Sequence, residues 1–407
     1  MARYIYGFEG IGPCHYISND LRPFITQIVK WRYPLKKLLL ATAVAALSVS
    51  AAHAAPTVYG KAFLTLDYMS TDYEASNKSD EDTFKLTSNQ SRIGFKGDDD
   101  LTDTTKLIYQ LEYQINPDDD SQQFKSRNTY VGLAHNTLGT VLAGRHDTPL
   151  KLVQNKVDVF NDSLFDITNA GVSGENRANN TLAYQSPAIV GMPVSFMAAT
   201  ALSETDTDGD VLVTAKTEAV KNADGTIKTP EKPAVYRDRK VKDNGYSLSL
   251  AYDQNGIYLG GAYDKDMGAN NVNTGVIDNT WRLVAGLDMG KMNMVSGLTL
   301  GALYQQSQYY DNYSIVNNNR VNKASEDEKS WLISGKYKVG ATPWAVKAQY
   351  VNTTDEKGVK DADVNEIAVG GEYAFNKATT GHIYAGQISR DNNKDDLIVG
   401  TGIEYKF

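Results

Sequence analysis

From Asp396 to Phe407 the side chains alternate. Leu397, Val399, Thr401, Ile403, Tyr405 and Phe407 share one face, and Ile398, Gly400, Gly402, Glu404 and Lys406 share the other. A period of two is the mark of a strand with one apolar face. The same period recurs in Lys106–Ile115, where Leu107, Tyr109, Leu111, Tyr113 and Ile115 alternate with Lys106, Ile108, Gln110, Glu112 and Gln114. It recurs again at 297–305 and 344–351. After residue 54 no segment carries a sustained helical period, so the chain is constrained to an all-β fold.

Turn signals punctuate these runs, and their lengths alternate. Short turns fall at 136–139, 254–256 and 340–343; long polar stretches fall at 70–81, 116–125, 148–175, 203–243, 267–279, 308–328 and 353–361. Short turns at one end and long loops at the other describe a transmembrane β-barrel. Sixteen runs can be counted, near 57–69, 82–97, 104–116, 126–136, 139–147, 177–187, 193–202, 244–254, 256–266, 280–289, 297–308, 329–338, 343–353, 363–375, 380–391 and 394–407. The expectation is a 16-stranded antiparallel transmembrane β-barrel. A soluble β-sandwich would bury its second face in a dry core. Here that face carries Lys, Arg, Glu and Gln far from any turn, which a dry core cannot hold and a wet lumen can. Trp281, Trp331, Trp344, Tyr405 and Phe407 sit near strand ends, as interfacial girdles do.

The first 54 residues read differently. Lys36 and Lys37 precede the apolar run 38–50, and Ala52-His53-Ala54 closes it with small residues at the outer positions. This is the pattern of a secretory signal peptide, 35–54, cleaved after about Ala54. A membrane anchor is the other reading, which the run's length and cleavage signature disfavour. Residues 1–34 have no signal-like pattern. They are read as an upstream extension, with Leu35 as the expected start and 55–407 as the barrel. Removing 1–54 takes six bases and two acids, moving the formal charge from −8 to about −12. It also removes Cys14, the single cysteine, so the exported chain has no disulfide.

Composition and motifs exclude several functions. The acidic balance argues against a nucleic-acid partner, and one long apolar run is too few for a helical membrane bundle. His135, His146 and His382 form no HExxH pattern, so neither a metal nor a cofactor is expected. His146-Asp147 could be half of a hydrolase pair, but no nucleophile is marked, and no catalytic residue is assigned. Asp206, Asp208 and Asp210 resemble the start of a calcium loop, yet Val211 stands where its glycine belongs.

Four stretches resemble the general porins of the Gram-negative outer membrane: Val58–Ala62 (VYGKA), Ser91–Gly97 (SRIGFKG) with the hairpin leading to 107–113, Tyr130–Leu133 with Leu138–Arg145 (LGTVLAGR), and Arg177–Pro187. The terminal Phe407 fits as well. The resemblance implies a homotrimer of sixteen-stranded barrels in the outer membrane, bathed in lipid and lipopolysaccharide and assembled by machinery that reads the terminal aromatic. It implies passive diffusion of small hydrophilic solutes and ions. It also implies a third loop, about 148–176, folded inward as a constriction, with Asp158, Asp162, Asp166 and Glu175 facing a basic wall of Lys61, Arg92, Arg145 and Arg177. Parity agrees: Lys61 opposes Leu64 and Leu66, Arg92 opposes Ile93 and Phe95, Arg145 opposes Leu142, and Arg177 opposes Leu182 and Tyr184. One departure is the absence of a PEFGG-like turn in the loop, where only Asn169-Ala-Gly171 and Ser173-Gly174 occur.

Bases on the wall and acids on the loop would set a transverse field in a narrow gap. A substrate-selective channel and a surface adhesin are the other readings, the long loop 203–243 favouring the latter; that loop could also hold a small hairpin around Val211–Thr214. The overall charge predicts a weak cation preference.

Overall fold

The computed structural model describes residues 55–407 except 74–78, 121–122, 190–191, 204–210, 215, 217–219, 222–226, 230–234, 238–243, 268–276, 317–318, 324 and 392–393. The signal peptide, the 1–34 extension and most of 203–243 lie outside the described residues.

The strands are β1 (Thr57–Tyr73), β2 in two segments (Glu81–Ser88 and Arg92–Thr102), β3 (Thr105–Gln114), β4 (Lys125–His135) and β5 (Gly139–Asp147). They continue with β6 (Arg177–Gln185), β7 (Val194–Ala201), β8 (Gly245–Gln254), β9 (Ile257–Lys265), β10 (Ile277–Asp288) and β11 (Leu298–Tyr309). The last five are β12 (Glu328–Lys338), β13 (Trp344–Thr354), β14 (Val364–Ala374), β15 (Thr379–Arg390) and β16 (Lys394–Lys406). Each pairs antiparallel with its neighbours, and β1 pairs with β16 from Lys61↔Lys406 to Tyr73↔Lys394, closing the barrel. Both segments of β2 pair with β1, so they are one barrel strand and the count is sixteen. Closure removes every sheet edge from the apolar phase, where an unpaired backbone group would be costly.

Alternation fixes the two faces. On β16 Leu397, Val399, Ile403 and Tyr405 are about half exposed while Ile398 is buried; on β10 Leu283 is exposed and Arg282 fully buried. The exposed apolar side chains form the lipid face. The inward faces carry polar pairs such as Tyr384 to Asp67 (2.6 Å) and Arg390 to Asp396 (2.7 Å).

The sheet is interrupted where the chain re-aims side chains. Gln90, with φ 54, breaks β2 at 89–91, and the Ser91 hydroxyl accepts the Phe63 N–H released by the break. The register shifts between β3 and β4 at Leu111/Tyr113, and between β5 and β6 at Gly144/His146. Bulges of this kind bend a strand and redirect one residue.

Outside the barrel, Val211–Thr214, Val235–Arg237, Asn312–Val316 and Asn319–Lys323 form a four-stranded antiparallel sheet. The strand near 211–214 pairs with 235–237 of the same loop and the 308–328 loop adds the other two strands, while Val220–Lys221 and Ile227–Thr229 pair as a separate small hairpin.

Candidate functional site

Segment 148–176 connects β5 to β6 and opens with helix α1 (Pro149–Val153), capped by the Thr148 hydroxyl, which accepts the Lys151 N–H. The segment packs on the inward faces of β8 to β16. Val153, Val157, Ile167, Ala170 and Val172 cluster with Val284, Leu303, Leu332 and Val351. Phe160 and Phe165 cluster with Val364, Ala368, Tyr384, Ile388 and Ile398. These wall residues are apolar on the otherwise polar face, and the loop explains why. Gly386 and Gly301 complete the seat: an added Cβ would lie 2.7 Å from the Phe165 ring and 2.8 Å from Val157.

Polar tethers reinforce the packing. Lys347 donates to the Val159 carbonyl (2.8 Å) and lies over the Phe160 ring, and Gln349 holds Val159 N–H and the Phe165 carbonyl. Arg282 pairs with Glu175 (2.5 Å), and Glu328 accepts both the N–H and the hydroxyl of Ser173.

The loop's other side meets the basic wall. Asp162 accepts Lys61 at 2.6 Å and Arg92 at 2.9 Å. Burial alone would raise the Asp162 carboxyl; the two cations outweigh it and hold it at about 2. Beside this bridge lies a cavity of about 380 Å³ whose lining includes Arg92, Lys125, Arg127, Arg145, Lys151 and Arg177. Asp147, Asp162, Asp166 and Glu175 also line it. Within the wall Arg127 pairs with Glu112 (2.7 Å), and Arg177 pairs with Asp147 (2.9 Å) and donates to Asn128.

A family model described as Gram-negative porin matches residues 41–396. The chain belongs to the Gram-negative porin family. This porin is 23% identical to "Major outer membrane protein P.IB" of Neisseria sicca, over 92% of this chain and all of that protein. It is 24% identical to "Outer membrane porin PhoE" of Enterobacter cloacae, with the same coverage. The solved anion-selective porin from Comamonas acidovorans superposes with a TM-score of 0.60 at 19% identity, covering 86% of this chain and 99% of that one, a likeness of fold. The porin is an outer-membrane β-barrel that forms a passive, water-filled channel for small hydrophilic solutes and ions.

Of the residues anticipated from sequence, the porin brings Arg92, Arg145, Arg177, Asp162, Asp166 and Glu175 around one cavity, with Lys61 bonded at its edge. Asp158 stands apart. It is buried inside the loop, accepting the Phe160 and Ile167 N–H groups, and burial pushes its carboxyl well above the usual range. Glu175 is turned toward Arg282, and burial raises its carboxyl despite that partner.

Arg145 departs from strand parity. Leu142 is buried and inward, whereas Val141 and Ala143 are exposed, so uninterrupted alternation would send Arg145 outward. Gly144, with φ 144, and the register shift beside it turn Arg145 to the Ser126 carbonyl and Asn179 instead. Sequence reasoning missed Lys125, Arg127, Lys151 and the tethers Arg282, Lys347 and Gln349. A charged residue in mid-strand was the available signal for Arg282 and Lys347; for Arg127 a bulge hid it.

Proposed function

We propose that segment 148–176 is the constriction of this porin, and that the gap between it and Lys61, Arg92, Arg127, Arg145 and Arg177 sets which solutes pass. The observation that carries this reading is the cavity lined by six bases from the wall and the loop's start, with Asp166 opposite, Asp162 at its bridged end and Glu175 turned to Arg282. Asp162 bridges to Lys61 and Arg92 and so closes one end of the gap rather than facing it. The field acting on a passing solute then arises from Arg127, Arg145 and Arg177 on one side and Asp166 on the other, focused by low-dielectric walls. A dipolar solute aligns in that field. An apolar one disrupts ordered water without compensation.

Ion preference follows the gap, not the whole chain. Six bases in its lining against four acids, of which Glu175 is already paired with Arg282 outside the lining, favour anions, opposite to the preference that the net charge suggests. Reversal potential in a salt gradient tests this. Anion preference that falls when Arg127, Arg145 and Arg177 become Gln supports the reading; a reversal potential indifferent to all three overturns it.

The finer partners belong to the same proposal. The outward apolar faces fit outer-membrane lipid, with lipopolysaccharide in the outer leaflet. Phe407, whose N–H and carbonyl pair with Gly60, is the signal for the barrel-assembly machinery. The homotrimer is carried over from membership of the porin family. We read the protein as a channel without catalytic activity.

A further inference from the structure

Arg282 is fully buried on β10, and its guanidinium reaches both limbs of segment 148–176 at once. On the outgoing limb Nη1 donates to the Leu150 carbonyl (3.3 Å). On the returning limb Nη2 donates to the Ser173 carbonyl (3.2 Å) and Nη1 pairs with Glu175 (2.5 Å). Nε is spent on Gln305 (2.8 Å), whose amide donates in turn to the Ser173 carbonyl (2.8 Å). The limbs themselves meet through Thr148 N–H and the Asn176 carbonyl. Only a planar fork with several donors can serve these acceptors together; the single ammonium of a lysine cannot.

We propose that Arg282 is a positioning residue for permeation, acting through Glu175: it withdraws that carboxylate from the gap's field and fixes the spacing of the two limbs. This rests on the constriction reading above. Glu175 lines the cavity that also holds Arg145 and Arg177. Without Arg282 nothing holds Glu175 in its buried place beside that cation; the carboxyl turns to the water of the gap, where it ionises, and the gap gains an acid that the ion pair had cancelled. The selectivity of the channel then depends on a side chain that does not line it.

The test is a double-mutant cycle read as reversal potential in planar bilayers, with Arg282→Gln, Glu175→Gln and both together in the full-length protein. Arg282→Gln is expected to shift the anion-to-cation permeability ratio about twofold toward cations, the effect of one added charge beside a focused path. Glu175→Gln alone is expected to change it little, and the double variant to return it to the wild-type value. The lost clamp should also raise the fraction of time closed at a given voltage about tenfold, since hydrogen bonds to a charged group are removed. Arg282→Lys, which keeps the pair but not the fork, should retain the selectivity and still close more often. An equal shift in Arg282→Gln and in the double variant, or a shift in Glu175→Gln alone as large as that in Arg282→Gln, overturns the proposal. If Arg282→Gln does not assemble, Arg282→Lys and Glu175→Gln decide it: a selectivity shift in either counts against it. Asp162→Asn, measured alongside, separates the two claims. A shift there with none in the cycle leaves the constriction standing and removes Arg282; no shift in either removes the constriction itself.

Discussion

Lys61 and Asp162 stand 101 residues apart in the chain and meet at 2.6 Å, with Arg92 completing the contact at 2.9 Å. One carboxylate thus joins the loop to β1 and β2, which continue the wall from β16, the last strand of the seat. The bridge carries the loop's attachment past the β1–β16 closure, and the open gap lies beside it.

Asp162 is held down to about 2, so its bridge should survive acidification that neutralises ordinary carboxylates. A depressed folded-state value contributes stability that is present above the unfolded value of about 3.9 and lost as pH falls through about 2. Conductance between pH 5 and pH 3 should therefore lack an Asp162 step, and Asp162→Asn should already behave at neutral pH like the acidified wild type. An Asp162-dependent inflection near pH 4 or above would contradict this.

Asp162→Asn also leaves Lys61 and Arg92 without their carboxylate. The anion-to-cation permeability ratio should rise about twofold, in the opposite sense to Arg145→Gln. Reversal potentials of the two variants in one salt gradient check the signs against each other.

The sixteen strands were legible because a half-buried strand writes its faces into the sequence with a period of two. The break at Gln90 was not, since it needs a positive φ that no side-chain pattern announces. Arg145 shows the limit of parity: it faces the gap, but because Gly144 and the neighbouring bulge reverse the alternation, not because of it. Lys61, Arg92 and Asp162 could be anticipated from motif and from loop acidity. Arg127 could not, because a bulge hides its face; Arg282 is marked by its mid-strand charge, but its role depends on Glu175, which the returning loop brings to it.

The loop seat makes a steric prediction. Gly301→Leu would force the loop at Val157 away, since even a Cβ there lies 2.8 Å from that side chain and otherwise meets only the Ser334 hydroxyl. Phe165→Ala removes its ring, at a local cost of about 3–5 kcal/mol. Both variants should keep the heat-resistant barrel on gels while increasing open-channel current noise. A barrel that no longer resists heat would mean that the seat stabilises the wall rather than the loop.

Barrel closure makes another. An added Cβ at Gly60 would lie 2.4 Å from the Phe407 ring, at the point where the last residue pairs with β1. Gly60→Val should lower the yield of folded barrel in the outer membrane, and the double variant with Phe407→Leu should recover part of it. Normal assembly of Gly60→Val would show that the last residue is dispensable for closure.

The most direct test is single-channel current across a planar bilayer under a salt gradient. The porin should give stepwise, ohmic insertions whose current does not saturate with solute, reversing at a potential that favours anions and moving toward cations when Arg127, Arg145 and Arg177 are replaced by Gln. Absence of current, or a current that saturates with a single solute class, would contradict this.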